Sequence, residues 1–393
     1  MVIFPNMVNK SLSLGSNNYI LINSLSKKGG AEKQCCFVFK KLEVKKIFLI
    51  NDLNDYKDLK VFSTVLVKGR YNRFFKLVFS VIKLSKKISK TDTVISFMEL
   101  SNFINIITKI IYTKHRCIIS VRISPDYYKS LWFGNLIIIL MKLLYPFSDR
   151  IITNSKDNMD SLKKIIHTSD SKFEVINNAI DLQAVKNVKI TNYLPKKYLI
   201  SMGRLVDQKN IFFQISLVKY LKKLGQNYKL LILGDGPLKG KIKLSINSIG
   251  LEYSSKLDKS DCDIIMLGHK DEPMSYFGNR CIFLSTSFNE GMPNSMLEAM
   301  ARAVPIISSN CPTGPKELLA ENELFEDDKK YYKNGVLLPI PSINKLDLSN
   351  WSGVVIELMD NSNLYNHFSK RSVLKAEQFS SKIISSAWKE SLI

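Results

Sequence analysis

The most informative shortage in this 393-residue chain is of acidic side chains. It has 35 Asp and Glu against 57 Lys and Arg, so its formal net charge is +22. The imbalance is greatest in the first half, where residues 1–185 hold 29 basic and 14 acidic side chains. Such a charge attracts anionic partners, which include phosphate-bearing substrates, acidic membranes and nucleic acids. No nucleic-acid recognition motif accompanies the charge, so we expect no nucleic-acid partner.

Cysteine and histidine are also scarce, and their spacing predicts neither a metal site nor a disulfide framework. The six cysteines lie mostly within apolar stretches, without the spacings typical of zinc ligands. We expect reduced, buried thiols, which indicates a cytoplasmic compartment. Asp261 and Asp263 form an Asp-x-Asp sequence that resembles a metal-binding signature, but they begin a predicted strand and we interpret the match as a coincidence. Neither a metal nor another cofactor is expected.

Long apolar runs are nearly absent as well. Residues 1–18 contain no sustained apolar segment, so we interpret them as a polar extension rather than a signal peptide. The longest apolar stretch covers residues 131–147 and contains Lys142. Because a membrane-spanning helix needs about 20 apolar residues, this stretch predicts a buried or interfacial helix.

Short apolar strands alternate with amphipathic helical patterns along almost the whole chain. The predicted strands are 19–23, 46–50, 93–97, 117–121, 150–153, 173–176, 198–202, 229–233, 263–267, 281–286 and 305–309. This alternation predicts an α/β fold whose parallel sheets are covered by helices on both faces. A polar linker at 183–196 divides the chain into two Rossmann-like domains, at 19–182 and 197–364, with a cleft between them. Helices are predicted over 365–393.

Residues 68–90 contain eight basic side chains and no acidic one. On a helix, one stripe is basic and the residues largely opposite are apolar. The stripe is Arg73, Lys76, Ser80, Lys83, Lys87 and Lys90, and the apolar side is Phe74, Leu77, Val78, Val81, Ile82 and Ile88. Such a helix suits an anionic membrane surface. A helix packed on the core with a solvated basic face is the alternative, and the sequence leaves both open.

Residues 288–301, FNEGMPNSMLEAMA, place two carboxylates around the start of a helix. An apolar strand precedes them, a glycine and a proline break the backbone, and Asn294 or Ser295 can cap the helix. Ligands of open α/β sheets bind at such carboxyl ends of strands. The helix N–H groups suit an anion, and the carboxylates of Glu290 and Glu298 suit hydroxyl groups. A sugar nucleotide, whose hydroxyls flank a diphosphate, fits this combination.

The sequence EGMPNSMLEAMA at 290–301 resembles the Glu-x7-Glu signature of retaining family 4 glycosyltransferases, which have the two-domain GT-B fold. The resemblance implies that Glu298 accepts hydrogen bonds from the ribose hydroxyls of a nucleotide-sugar donor. It also implies that Glu290 contacts the transferred sugar and stabilises positive charge at its anomeric carbon. The donor-binding residues between them would be Gly291, Met292, Asn294 and Ser295.

Three further segments resemble motifs of the same family. SMGRLVDQKN resembles G-R-L-x-x-x-K-N, which implies that Arg204 and Lys209 contact the donor diphosphate, Arg204 by a bidentate grip. LILGDGPLKGKI lacks the third glycine of a dinucleotide fingerprint and resembles a V-G-x-G-P turn, in which Gly236 shapes the nucleotide side of the cleft. In SLSKKGGAEK, the resemblance implies that Gly29 and Gly30 let backbone approach the donor phosphate or the acceptor.

Two more donor-binding assignments leave alternatives open. Arg122 stands where many relatives have a histidine that touches the sugar or its phosphate, and we expect it either to pair with phosphate or to anchor its loop. His269 is expected either beside the uracil base or as an ordinary loop residue. Thr313 and Gly314 follow another predicted strand and are expected to line the cleft.

The resemblance covers about residues 19–392 and implies a retaining, metal-independent hexosyltransferase. We expect UDP-N-acetylhexosamine or UDP-hexose as donor, and a lipid-linked glycan of lipopolysaccharide, O-antigen or capsule synthesis as acceptor. Such an enzyme would work in the cytoplasm, peripherally at the inner face of the membrane. In the resembling family, the last helix crosses back to the N-terminal domain. The alternatives are a non-catalytic scaffold, or a sugar-nucleotide epimerase or phosphorylase of the same fold.

Overall fold

The structure is a computed structural model that describes residues 17–27, 29–69, 71–129, 131–257, 261–278, 280–321, 323–326, 328 and 330–393. The polar extension predicted at 1–18 therefore lies outside the described residues, except for its last two. The strands of the described part are β1 Asn18–Ile22, β2 Val44–Leu49, β3 Ser63–Val65, β4 Thr93–Phe97, β5 Arg116–Val121, β6 Arg150–Thr153, β7 Phe173–Val175, β8 Lys197–Met202, β9 Lys229–Leu233, β10 Tyr253–Ser254, β11 Ile264–Gly268, β12 Arg280–Ser285, β13 Ile306–Ser309, β14 Tyr331–Tyr332 and β15 Gly335–Leu338.

Helices connect most of these strands. They are α1 Gly30–Lys41, α2 Arg73–Ser85, α3 Glu99–Thr108, α4 Pro125–Lys129, α5 Gly134–Leu144, α6 Lys156–Lys163, α7 Leu182–Asn187, α8 Ile211–Lys223, α9 Lys239–Ser248, α10 Asn294–Ala301, α11 Pro315–Leu319, α12 Lys345–Asp360, α13 Ser362–Glu377 and α14 Ser381–Ser391.

The first seven strands form a parallel sheet in the order β3-β2-β1-β4-β5-β6-β7. Its central strands are buried on both faces, as parallel strands covered by helices must be. The chain runs outward from β1 to β3 and then returns to β4, so the strand order switches between β1 and β4. Loops that leave a sheet at such a switch form the crevice where ligands bind.

The C-terminal sheet has the order β10-β11-β9-β8-β12-β13-β15-β14, and only β14 runs antiparallel to its neighbour. Its strand order switches between β8 and β12, which are paired directly. The two sheets confirm the predicted fold of two Rossmann-like α/β domains. The strands that sequence reasoning missed are β3, β10, β14 and β15, which have two to four residues and lie at or next to sheet edges.

The last helix returns to the N-terminal domain, which confirms the crossing implied by the resemblance. α13 packs against α10 of the C-terminal domain, whereas α14 packs against α1. Trp388 of α14 is fully buried and its ring lies 6.0 Å from that of Phe97, centroid to centroid. Arg116 also donates a hydrogen bond of 3.1 Å to the carbonyl of Ser391.

The basic helix predicted over 68–90 differs from α2 in its length and its faces. α2 ends at Ser85, so the last two predicted basic residues lie beyond it. Ser80, which was expected on the basic stripe, is fully buried. On the predicted apolar side, Phe74 and Ile82 are exposed, whereas Val81 is buried. The predicted division into two faces is therefore wrong. α2 buries the side centred on Ser80 and Leu84 and turns part of its apolar surface outward.

The apolar stretch 131–147 forms α5 with short flanking segments. Met141 and Tyr145 are buried in the core of the N-terminal domain, but Trp132 is 94% exposed and Leu136 is 61% exposed. One side of this stretch is therefore packed on the core, and the other side is exposed to solvent. Among the described helices, none is both long and apolar enough to cross a membrane.

Candidate active site

The loops after β8 and β12 leave the C-terminal sheet side by side, because these strands are hydrogen-bonded neighbours. The first loop carries Arg204 and Lys209, and the second carries Glu290. Since the carboxyl ends of parallel strands share one edge, residues 81 positions apart meet there. The predicted cations and the predicted carboxylate therefore come together at the switch in strand order, where open α/β sheets bind ligands.

The carboxylate of Glu290 is held by two donors. Nζ of Lys209 lies 2.5 Å from Oε1, and Oγ of Ser287 donates to the same oxygen at 2.6 Å. The hydroxyl of Thr313 donates to the backbone carbonyl of Glu290. Because the side chain of Glu290 is only 9% exposed, its charge needs a compensating partner, and Lys209 supplies it. Together these contacts hold the carboxylate in one place beside an ammonium.

The glycine turn after β9 supports the arginine loop. A Cβ at Gly234 would lie 1.8 Å from the carbonyl oxygen of Gly203, and one at Gly236 would lie 2.4 Å from that of Leu205. Only glycine permits so close a backbone approach. The side chain of Arg204 stays exposed between these packed backbones. The role of Gly236 on the nucleotide side stays a prediction, and its close contact in this structure is with protein backbone.

The loop after β12 also contacts the N-terminal domain. A Cβ at Gly291 would lie 2.2 Å from the carbonyl oxygen of Arg122. The side-chain amide of Asn178 donates to the carbonyl of Met292 at 2.9 Å and to Oδ1 of Asn294 at 2.8 Å. The missing side chain at Gly291 therefore permits the close approach of the two domains at this loop.

The predicted capping of α10 by Asn294 or Ser295 is wrong. The N-cap position is Pro293, and no side chain in the described part of the chain caps the helix. The amide of Asn294 instead donates to the carbonyl of Gly30 at 3.1 Å and accepts from Gln34 at 3.2 Å. Its side chain is used to join α10 to α1 across the cleft, so it is unavailable to its own helix.

Glu298 lies one turn further along α10, and its side chain is 6% exposed. Its Oε1 accepts a hydrogen bond from Nζ of Lys33, which belongs to α1 of the opposite domain. The two glutamates of the Glu-x7-Glu pattern thus each have a lysine partner. The partner of Glu290 comes from the same domain, whereas that of Glu298 comes from across the cleft.

Gly29, which precedes α1, lets the carboxylate of Glu32 fold over the start of the helix. A Cβ at Gly29 would lie 1.9 Å from Oε2 of Glu32, so any other residue would displace this side chain. Burial raises the pKa of Glu32, while its own backbone N–H and the charge of Arg204 act in the opposite direction. An anion at a helix N-terminus is favourable because the N–H groups there lack helical partners.

Arg122 lies beneath the cleft with a buried side chain. Nη1 donates to Oδ1 of Asn178 at 3.0 Å, and the guanidinium lies 5.3 Å from the ring centre of Phe97 and 5.7 Å from that of Trp388. Desolvation by burial lowers the pKa of Arg122 to about 10, although nearby Cys35 opposes the shift. The sequence left two roles for Arg122, which were pairing with phosphate and anchoring its loop. These contacts agree with the anchoring role, and contact with phosphate stays a prediction.

His269 follows β11, which is two strands away from β8, about 10 Å along the sheet. Its Nε2 lies 3.8 Å from Oδ1 of Asp271, which is also 3.9 Å from Nζ of Lys27 in the loop after β1. The histidine therefore borders the outer side of the cleft, and its predicted place beside uracil stays a prediction.

The Asp-x-Asp sequence lies at the end of the sheet opposite to the cleft, because it precedes β11 and the cleft loops follow their strands. Asp263 pairs with Lys222 at 2.6 Å and accepts from the backbone N–H of Glu252. Within the described residues, no group of three or more His, Cys, Asp or Glu side chains is arranged to hold a metal ion.

Sequence reasoning missed three functional contacts. Lys33 was quoted within the GGAEK segment but received no role, and its place one turn after Gly30 was the available signal. Ser287 precedes Glu290 by three residues, a spacing that allows its hydroxyl to reach the carboxylate. Asn178 carried no signal, because its position depends on how the two domains meet.

Two Rossmann-like domains that meet at a cleft, each with a mostly parallel sheet, form the GT-B fold. Structural comparison agrees with this fold. Anabaena HepE in complex with UDP and glucose superposes with a TM-score of 0.75 at 15% identity, over 96% of this chain and 99% of that one. The apo lipopolysaccharide outer core galactosyltransferase WaaB gives a TM-score of 0.69 at 17% identity, with the same coverage.

Residues 184–373 match the family described as Glycosyl transferases group 1. The N-acetylgalactosamine-N,N'-diacetylbacillosaminyl-diphospho-undecaprenol 4-alpha-N-acetylgalactosaminyltransferase of Campylobacter jejuni is 27% identical over 364 residues, 84% of this chain and 96% of the relative. An uncharacterized glycosyltransferase of Methanocaldococcus jannaschii is 28% identical over 285 residues, 67% of each chain. The family match therefore covers the C-terminal domain, whereas the alignment with the Campylobacter relative is long enough to include both domains.

Proposed function

We propose that this protein is a retaining glycosyltransferase of the family 4 type, which transfers a sugar from a nucleotide diphosphate to a hydroxyl of a lipid-linked glycan. One observation carries the proposal. Glu290, Lys209 and Ser287 form one hydrogen-bonded group at the switch in strand order, and Glu298 lies one turn into the following helix. In this proposal, Glu290 faces the transferred sugar and Glu298 faces the ribose, on either side of the diphosphate.

In this proposal, the positive side chains stabilise the departing diphosphate. The bond between the anomeric carbon and the donor phosphate oxygen breaks, and its electron pair goes to the phosphate. We propose that Arg204, Lys209 and the amides after Glu290 face this developing charge and provide pre-organised electrostatic stabilisation without a metal. Glu290 stabilises the positive charge at the anomeric carbon.

The acceptor hydroxyl attacks from the face that the phosphate leaves. Its oxygen forms the new bond to the anomeric carbon, and its proton passes to the departing phosphate oxygen. The anomeric configuration is therefore retained, and the acceptor side needs no separate general base. This mechanism requires the acceptor to approach through the cleft between the loops of the two domains.

The donor is proposed to be UDP-N-acetylhexosamine or UDP-hexose. The Campylobacter relative is named an N-acetylgalactosaminyltransferase, and the Anabaena protein of similar fold binds UDP and glucose. The Anabaena complex supports a uracil nucleotide, and the two names differ in the sugar, so they do not choose between N-acetylhexosamine and hexose. His269 is the residue proposed to lie beside the base.

The acceptor is proposed to be a glycan on a lipid diphosphate, in lipopolysaccharide, O-antigen or capsule synthesis. The Campylobacter relatives are named for undecaprenol-linked substrates, and another relative is a capsular polysaccharide biosynthesis glycosyltransferase of Staphylococcus aureus. Such an acceptor is carried by the membrane, so the enzyme must work at the membrane surface.

We propose peripheral association with an anionic membrane through α2 and α5. Both helices pack against the buried helix α3 on one side of the N-terminal sheet. Their outer surfaces expose large apolar side chains, with Phe74 on α2 70% exposed. Lys83 and Lys142 are exposed on the same two helices, and neither helix contains an acidic residue. Exposed apolar side chains with lysines on the same helices suit the interface of an anionic bilayer.

The experiment that tests the function combines donor binding with product analysis. Calorimetry against UDP-, GDP- and ADP-sugars should find one UDP-sugar that binds most tightly. With that donor and a lipid-diphosphate glycan, proton NMR should show a product of the same anomeric configuration. An inverted product would contradict the retaining mechanism. Donor breakdown at the same rate without acceptor would indicate a hydrolase or phosphorylase instead.

A further inference from the structure

The carboxylate of Glu298 is covered by the side chain of Lys33, which belongs to the opposite domain. Its carboxylate accepts from Lys33, and only 6% of the glutamate side chain is exposed. Lys33 itself is half exposed, so its ammonium can leave the carboxylate for solvent without rearranging the core. In the described part of the chain, Lys33 is the polar side chain that contacts this carboxylate.

The position of Lys33 is set by the way in which the two helices meet. Asn294 joins the start of α10 to Gly30 and Gln34 of α1. Residues four apart share one face of a helix, so Glu298 follows Asn294 on the side of α10 that faces α1. Lys33 lies between the two contacted residues of α1, and its reach to Glu298 follows from backbone packing.

A ribose can reach Glu298 only if Lys33 moves away. A diol that donates to both oxygens of a carboxylate must lie against them, but only 6% of this side chain is exposed while the ammonium donates to Oε1. We propose that Lys33 is an affinity-determining residue that competes with the donor ribose for Glu298 and passes to the donor diphosphate when the nucleotide binds. This inference rests on the proposed function, because it needs Glu298 to be the ribose partner.

Competition between Lys33 and the ribose should affect the binding of a nucleoside and of a nucleoside diphosphate differently. A nucleoside without phosphates must displace Lys33 and offers its ammonium no new partner. A nucleoside diphosphate displaces it too but supplies an anion, and Lys33 lies in the first turn of α1, next to the glycines predicted to face the phosphate. The lysine therefore weakens nucleoside binding and spares diphosphate binding, which favours a charged donor over its uncharged fragments.

The test compares uridine and UDP binding to the wild-type protein and to Lys33→Met, which keeps most of the side-chain length. We expect uridine to bind the variant about twofold to fivefold more tightly, the size expected of an ion pair with one half-exposed partner. UDP should bind the variant no more tightly than the wild type, so the ratio of UDP to uridine affinity falls. Calorimetry, with competition for the weak ligand, measures both constants.

The matched control is Lys40→Met on the same helix. Lys40 is similarly exposed and pairs with Asp58 of its own domain at 2.9 Å, so the change removes the same charge away from the cleft. It should leave both affinities unchanged. Unchanged uridine affinity in Lys33→Met would overturn the inference, and weaker binding of both ligands would assign Lys33 a structural role instead. If the wild type binds no UDP, the proposed function fails as well.

Discussion

Nζ of Lys209 lies 2.5 Å from Oε1 of Glu290, although the two residues belong to loops after different strands. The pair exists because β8 and β12 are neighbours at the switch in strand order of the C-terminal sheet. In the proposed function, the ammonium contacts the donor phosphate and the carboxylate faces the transferred sugar. Because the two groups are paired with each other, we test each by its own variant: UDP binding reports on Lys209 and the transfer rate reports on Glu290.

Glu290→Gln should lower the transfer rate by about two to three orders of magnitude, the size typical of losing one electrostatic contact to a transition state. The amide keeps the shape of the side chain and its contact with Ser287, but it cannot stabilise positive charge. UDP affinity should change little. Steady-state kinetics and calorimetry measure the two effects. The control is Glu272→Gln, at an exposed position of the same domain. A full transfer rate in Glu290→Gln would contradict the proposed role of Glu290 in stabilising positive charge.

Lys209→Met should weaken UDP binding by about tenfold or more while leaving uridine binding nearly unchanged. Hydrogen bonds to charged groups contribute about 1.5–3 kcal/mol, and the diphosphate is the only part of the donor that the ammonium is proposed to contact. Calorimetric titration with both ligands measures the difference. Lys223→Met, an exposed lysine at the end of α8, controls for the loss of one positive charge. Equal losses for uridine and UDP would show that the substitution disturbs the whole site.

The pH dependence of stability should report on His115, which is fully buried in the N-terminal domain. Its Nε2 lies 2.8 Å from Oδ1 of Asn105, whose amide nitrogen donates elsewhere, so Nε2 carries the proton. Nδ1 lies 2.6 Å from the hydroxyl of Thr113 and accepts from it. Desolvation by burial lowers the pKa of His115 from 6.5 to about 4.

Between pH 6.5 and 4, the unfolded chain therefore binds a proton at this histidine that the folded chain does not bind. The free energy of unfolding should fall as pH drops through this window, by at most about 3 kcal/mol from this group. Urea denaturation at several pH values measures the slope. His115→Gln should flatten it, although the variant is less stable at pH 7, and His367→Gln at an exposed position should not. If the free energy of unfolding of His115→Gln depends on pH as steeply as that of the wild type, the prediction that His115 is buried in its neutral form would be wrong.

Leu136→Asn should weaken binding to phosphatidylglycerol vesicles by about tenfold. The exposed leucine of α5 is proposed to enter the bilayer interface, and burying such a side chain is worth about 1.5–3 kcal/mol. Binding of the wild type should also weaken as salt rises, because lysines supply part of the attraction. Vesicle co-sedimentation measures both. Leu244→Asn, at an exposed leucine of the C-terminal domain, should bind normally. Equal binding to neutral vesicles would contradict the proposed electrostatic attraction between the lysines and anionic lipid.

Trp388→Ala should destabilise the N-terminal domain by about 3–5 kcal/mol, the usual cost of removing a buried aromatic side chain. The ring packs on Phe97 and lies beneath Arg122, so its loss leaves a cavity where α14 meets the first domain. Thermal or urea unfolding measures the change. Ile383→Ala, on the exposed side of the same helix, should cost far less. Similar costs for both would mean that α14 contributes little to the domain.

Local pattern predicted much of this fold because the central strands are continuous apolar runs. The strands at β4, β6 and β9 were located to the residue, since a strand buried on both faces depends on its own composition. The strands at the edges, such as β10 and β14, have two residues each, and their pairing is imposed by a neighbour. The faces of α2 were misassigned for a related reason: which side of a helix is buried depends on α3, which lies elsewhere in the chain.

The sequence by itself determined the α/β alternation, the two domains and the loops that carry Arg204, Lys209 and Glu290. These follow from local composition and from the rule that parallel strands end at one edge. Only the tertiary structure decided which lysine holds Glu298, and that Asn294 joins α10 to α1 instead of capping its own helix. Those contacts depend on how two separately folded sheets approach each other, and no local pattern encodes the distance between residues 33 and 298.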